Sequence, residues 1–169
     1  LDFGLARGVA PEAADEQRQV THAGAFLGTL AYAAPEQTTG DPTQIDLRTD
    51  VYALGAILYE ALTGRLPHDM SGPLDQIIRR IAEHSPPSPL SLARRASAPA
   101  HIDTDLNTIV LKALSQDPAR RYDTAGAMQA DLERYLDGDA IDARRDSAWY
   151  VLRKTVARHR WRAAASSCL

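Results

Sequence analysis

The sequence predicts a mainly helical fold, and three observations predict it. Apolar residues recur at the 3.6-residue helical period in several separate stretches. Gly64, Asp117-Pro118 and Gly138 stand where three of those stretches end. No run alternates apolar and polar residues for long enough to make a convincing strand. A chain of 169 residues suits one domain, or a piece of one, and can bury a real core. With 44% hydrophobic and 24% charged residues, collagen-like, low-complexity and wholly disordered classes are excluded.

Residues 1–28 hold no sustained helical period and are rich in Gly, Ala, Thr and Gln, so they read as a long irregular loop. Arg48 to Thr63 is the strongest helix. Val51, Leu54, Ile57, Leu58, Ala61 and Leu62 keep the period, Asp50 falls in the first turn, and Gly64 stops the helix. Ala53, Gly55 and Ala56 make it apolar nearly all round, which predicts a central, buried helix. Pro73 to His84 is a second helix, with Leu74, Ile77, Ile78 and Ile81 on one face. Pro86, Pro87 and Pro89 then predict an exposed loop over 85–100. Asp103 to Ser115 is a third helix, capped by Asp103 or Thr104. Thr124 to Leu136 is a fourth, with Met128, Leu132, Tyr135 and Leu136 inward. A fifth, Arg-rich and amphipathic, is predicted from Ser147 to about Ala165.

Charge divides the chain. Residues 1–141 carry 12 Lys and Arg against 20 Asp and Glu, whereas residues 142–169 carry 7 against 2. An acidic body argues against a nucleic-acid partner. The basic end suits either a phosphate-rich surface or a solvated helix face. The single Cys168 excludes a disulfide framework and a Cys-based zinc cluster. No apolar run approaches the ~18 residues of a membrane-spanning helix.

Four short motifs carry chemistry. Asp2-Phe3-Gly4 opens the chain, and a hard carboxylate beside a glycine turn suits Mg²⁺. Gly28-Thr29-Leu30-Ala31-Tyr32-Ala33-Ala34-Pro35-Glu36 follows, then Asp50-Val51-Tyr52-Ala53-Leu54-Gly55, then Asp117-Pro118-Ala119-Arg120-Arg121. In this order and spacing, the set resembles the C-terminal lobe of a protein serine/threonine kinase of the bacterial branch. The resemblance covers roughly Leu1 to Gly138.

The resemblance implies the C-terminal lobe of the kinase-like fold, with the N-lobe and catalytic loop absent. It implies a partial kinase domain over 1–138, made of the activation segment and helical lobe, and a basic juxtamembrane-like tail over 139–169. It implies ATP and Mg²⁺ as cofactors of the parent enzyme, with Asp2 holding the metal, and weak or no binding by these residues alone. Thr29 would contact the catalytic loop and the substrate, and marks Ser/Thr specificity. Phe3 and Gly4 would have structural roles, Phe3 within a packed spine. Glu36 would pair with Arg121 in a buried ion pair, and Asp50 would accept hydrogen bonds from the catalytic loop. Thr21, seven residues before Gly28, would be a phosphorylation site, and Arg7 a basic partner for that phosphate. Tyr52 stands where the family often has Trp.

Implied partners are protein substrates and a second copy for trans-phosphorylation, with membrane contact through 144–162. The implied location is cytoplasmic, with an inner-membrane anchor in a span after residue 169. Phosphoryl transfer in this family also needs a Gly-rich loop, a strand Lys with its Glu partner and a His-Arg-Asp loop. His-Arg occurs here only at 159–160, followed by Trp161. The chain is therefore expected to be a kinase fragment that is itself inactive. The alternative is a non-catalytic binding module that would use the helix at 73–84 and the loop at 28–35.

Overall fold

The computed structural model describes residues 28–39, 42–96, 102–144, 150 and 154. The chain forms two compact units, Leu1–Leu30 and Ala31–Leu169. Of the first unit, residues 28–30 are described and are helical. Among the described residues there is no strand.

The second unit is built on α1 (Leu47–Thr63). Asp46 starts it, its carboxylate accepting from the Arg48 N–H at 2.7 Å. Gly64 ends it in the left-handed conformation at φ 66°, where a side chain would be strained, and its N–H closes on the Glu60 carbonyl. Then come α2 (Leu74–Glu83), α3 (Pro89–Ala96), α4 (Thr104–Ala113) and α5 (Ala125–Leu136). Asp103 caps α4 through the N–H groups of Asp105 and Leu106, and Thr124 caps α5 through that of Ala127. Asp117 caps a 3-10 turn at Pro118–Arg120, with Pro118 at a first-turn position that needs no N–H donor.

α1 packs on α3, α4 and α5, and α2 packs on a 3-10 turn at Pro35–Thr38. Two apolar clusters result. Val51, Ile109, Ala113, Tyr122, Met128, Ile141 and Tyr150 form one; Ala34, Tyr52, Ala56, Tyr59, Val110 and Leu114 form the other. Val51 and Tyr52 stand next to each other on α1 and Ile109 and Val110 on α4, so these two helices serve both clusters.

Three expectations need correction. Leu136, expected to point inward, is the last residue of α5 and is 79% exposed. α1 is not buried on all sides: Leu47, Asp50, Leu54, Ile57 and Ala61 form an exposed stripe at helical spacing, opposite buried Val51, Tyr52, Gly55, Ala56 and Tyr59. Composition alone could not distinguish an apolar face with a partner from one without. The stretch 85–100 is also not simply a loop, because α3 lies within it. Pro89 begins that helix instead of breaking it, since the first helical turn tolerates the missing N–H. Ser88 precedes it, its hydroxyl accepting from the Ser91 N–H, and Asn107 on α4 accepts from both Ser88 Oγ and the Leu90 N–H. The fifth helix expected at 147–165 lies outside the described residues, apart from Tyr150 and Lys154.

Gly55 sets the closest approach of α1 and α4. A Cβ there would stand 2.8 Å from the Ala113 Cβ and 3.3 Å from two Leu114 side-chain carbons. Gly55→Val should therefore destabilise the fold by roughly 1–3 kcal/mol through overpacking. Urea denaturation of the variant against the native chain measures this.

Candidate functional site

The motif Gly28 to Glu36 ends in the Pro35–Thr38 turn, which places the Glu36 carboxylate in the interior. Ala34 donates its N–H to Gln37 Oε1 at 2.8 Å, and the Gln37 N–H returns to the Ala34 carbonyl. Arg121 follows the Pro118–Arg120 turn between α4 and α5. The two side chains meet with 0% of Arg121 and 4% of Glu36 exposed, and join fork to fork. Arg121 Nη1 donates to Glu36 Oε1 and Nη2 donates to Oε2, each at 2.7 Å.

The remaining donors of the guanidinium are also engaged. Nε donates to the Ser115 carbonyl at 2.7 Å, Nη1 to the Arg48 carbonyl at 3.1 Å, and Nη2 to the Gln116 carbonyl at 3.3 Å. A guanidinium has five N–H donors, and these bonds use all of them. The Tyr52 ring lies with its centroid 5.0 Å from the guanidinium carbon, adding a cation–π contact. Thr49 Oγ1 donates to Glu36 Oε1 at 2.8 Å. Burial pushes the Glu36 pKa up, but hydrogen bonds from Arg121, from its own backbone and from Thr49 outweigh it, so the net direction is down. The carboxylate therefore stays ionised against its cation.

Around this pair the structure places groups that periodicity did not indicate. Thr49 immediately precedes the motif that begins at Asp50. Tyr52 Oη and His68 Nε2 are 2.9 Å apart in the interior. Burial lowers the His68 pKa to about 4, helped by nearby His84. Burial also raises the Tyr52 pKa, so the phenol remains neutral. Tyr32, from the loop before Pro35, donates to Glu60 Oε2 on α1 at 2.6 Å. The signal for this contact was present in the motif tyrosine, but nothing local pointed to Glu60.

The other sequence-derived candidates fall as follows. Asp50 is in the first turn of α1 and is exposed. Thr29 is helical and exposed within the first unit. Asp2, Phe3, Gly4, Arg7 and Thr21 lie outside the described residues. Among the described residues no group of three or more His, Cys, Asp and Glu side chains could hold a metal ion. Among them, too, no helix is long and apolar enough to cross a membrane.

Comparison with known proteins follows the same outline. The family model described as the protein kinase domain matches residues 1–132. The chain is 41% identical over 144 residues to the serine/threonine-protein kinase PknB of Mycobacterium tuberculosis (strain ATCC 25618 / H37Rv), covering 85% of this chain and 21% of that protein. It is 38% identical over 134 residues to the probable serine/threonine-protein kinase CE0033 of Corynebacterium efficiens, covering 79% and 19%. It is 36% identical over 143 residues to the probable serine/threonine-protein kinase SCO3848 of Streptomyces coelicolor, covering 85% and 19%. The chain thus spans about a fifth of the length of the curated relatives it matches.

Two outcomes follow from the geometry. Glu36→Gln leaves the Arg121 charge buried without its counter-ion and should cost about 3–5 kcal/mol of stability, read by urea denaturation. A loss below about 1 kcal/mol would mean that the pair behaves as an exposed one. The second outcome concerns acid. His68 titrates near 4 when folded against 6.5 when free, so the unfolded chain binds the proton first as pH falls. Its stabilising contribution is complete above 6.5 and declines as pH falls towards 4, by up to roughly 3 kcal/mol. His68→Gln should flatten the stability profile in that window, and a profile unchanged from the native chain would contradict the assignment.

Proposed function

The chain belongs to the protein kinase family, and from that premise we propose that it is part of an ATP-dependent protein serine/threonine kinase. The observation that carries this reading is the bidentate bond between Glu36 and Arg121. It ties the end of the Gly28–Glu36 motif to the turn between α4 and α5, across 85 residues of sequence. A loop that presents a protein substrate needs one end fixed to a rigid body, and this bond, with Pro35 buried beside it, supplies that end.

The chemical roles then follow from residue type. Asp2 is proposed as a hard carboxylate ligand for Mg²⁺, with Gly4 letting the backbone bend beside it and Phe3 packing within a spine. When bound, Mg²⁺ and ATP would supply the transferable phosphoryl group with its charge neutralised. Thr29 is proposed to contact both the catalytic loop and the substrate through its hydroxyl, which can donate and accept. Asp50, exposed at the start of α1, is proposed to accept backbone N–H groups from the catalytic loop of the longer enzyme. Thr21 is proposed as a phosphorylation site, its phosphate pairing with Arg7 and ordering the segment between them. The Tyr32–Glu60 bond holds the residues before Pro35 against α1.

These 169 residues contain neither a His-Arg-Asp sequence nor a Gly-rich loop with its strand lysine. The base that would take the substrate proton is therefore not among them, and we propose that they do not transfer phosphate by themselves. A longer protein that carries this chain behind such motifs should label Ser or Thr of a protein substrate with the ATP γ-phosphate, detected by radiolabel and phosphoamino-acid analysis. The purified 169-residue chain, incubated with Mg-ATP and the same substrate, should give no label above background. Label from the short chain would overturn the proposed inactivity, and its absence from the longer protein would overturn the kinase reading.

A further inference from the structure

The family match ends at residue 132, yet the described residues beyond it are held by two buried carboxylates. Asp131 of α5 accepts from the N–H groups of Asp142 at 2.6 Å and Ala143 at 2.9 Å, which fixes a 3-10 turn at Asp142–Arg144. Arg134 bridges Asp131 and Asp142 at 2.9 and 2.6 Å. Ile141 is fully buried in the same apolar cluster as Val51 and Ile109.

The second carboxylate is Asp105, in the first turn of α4, with its side chain 6% exposed. Arg144 Nη1 donates to Oδ1 at 2.6 Å. Tyr150 Oη donates to Oδ2 at 3.0 Å, and Lys154 Nζ stands 2.8 Å from the same oxygen. Tyr150 Oη also accepts the Ile141 N–H at 3.2 Å, and the Arg144 guanidinium lies 4.4 Å from the centre of the Tyr150 ring. These three side-chain donors all come from residues 144–154, and none comes from the helices of the lobe. Tyr150 and Lys154 are both helical and stand four residues apart. Burial opposes the Asp105 charge, and the bonds from Lys154, Arg144 and Tyr150 overcome that opposition.

We propose that Asp105 is the receptor of an intramolecular latch, in which the chain beyond α5 docks on α4 through Arg144, Tyr150 and Lys154. The chain then leaves the lobe from a fixed place on α4, not as a loose linker from the end of α5. Arg144 and Lys154, the described basic residues after residue 141, face inward in this state. They reach an anionic surface only when the latch opens, so opening releases two cations together.

Hydrogen exchange of the 169-residue chain, followed by mass spectrometry, tests this. In the native chain, peptides spanning Tyr150 to Lys154 should exchange at least ~10-fold slower than an unstructured chain. Asp105→Asn should remove most of that protection while peptides over Val51–Tyr59 keep theirs. Lys154→Met deletes one donor without touching the lobe and should reduce the protection several-fold; it decides the matter if Asp105→Asn also loosens α1. Protection should survive 0.5 M salt, because a buried pair is screened far less than a surface one. Exchange at the unstructured rate in the native chain, protection unaltered in both variants, or protection abolished by salt would each overturn the latch.

Discussion

The contact between Glu36 and Arg121 is the constraint on which the rest of the lobe depends. Two charges taken out of water are stabilising only when every polar atom finds a partner. Arg121 meets that condition with five bonds that reach Glu36, Arg48, Ser115 and Gln116. The acceptors lie on three local features: the turn at Pro35–Thr38, the start of α1 and the residues just after α4. Moving any one of them strands part of the guanidinium. The pair therefore contributes register more than net energy, since a hydrophobic replacement of both partners could match it in stability but could not specify the same four attachments.

The same physical device recurs at Asp131 and Asp105. Each is a buried carboxylate whose bonds join segments that the apolar clusters alone would leave loosely related. Apolar contact is non-directional, so it collects α1, α4 and α5 without fixing the irregular chain between and after them. Hydrogen bonds to a fixed carboxylate are directional, and the turns at Pro35–Thr38 and Asp142–Arg144 are where they act. Tyr122 belongs to both schemes: its ring lines the first cluster while its hydroxyl donates to Asp131 at 3.0 Å.

The helices were legible because their signals are local. Gly64 marked the end of α1, Asp103 the cap of α4 and Thr124 that of α5, each within a few residues of the periodic stretch it bounds. α3 was illegible because three prolines in four positions look like breakers, and the rule that admits Pro89 depends on its falling in the first turn. The partners of Arg121 divide in the same way. Glu36 was reachable only through the resemblance, since 85 residues separate the two and no periodicity spans that distance. The carbonyls of Arg48, Ser115 and Gln116 were unreachable, because every residue offers one and sequence does not say which faces a cation. His68 was equally silent: its relation to Tyr52 exists only when the chain after α1 turns back on that helix.

Segment charge shows a subtler limit of the same kind. The acidic body and basic end attract each other on count alone, but a count does not say where a charge points. Glu36 and Asp131 are buried against cations of the body itself, so they add little to any field that an outside partner would meet. Asp105 is buried against cations of the basic end, so there the attraction between the two segments becomes a specific contact. A diffuse attraction between exposed charges fades within roughly 10 Å at moderate salt, whereas the contacts at Asp105 are made at hydrogen-bond distance and are largely shielded from solvent. For Arg144 and Lys154, the division of charge along the sequence is thus the long-range part of a short-range fit.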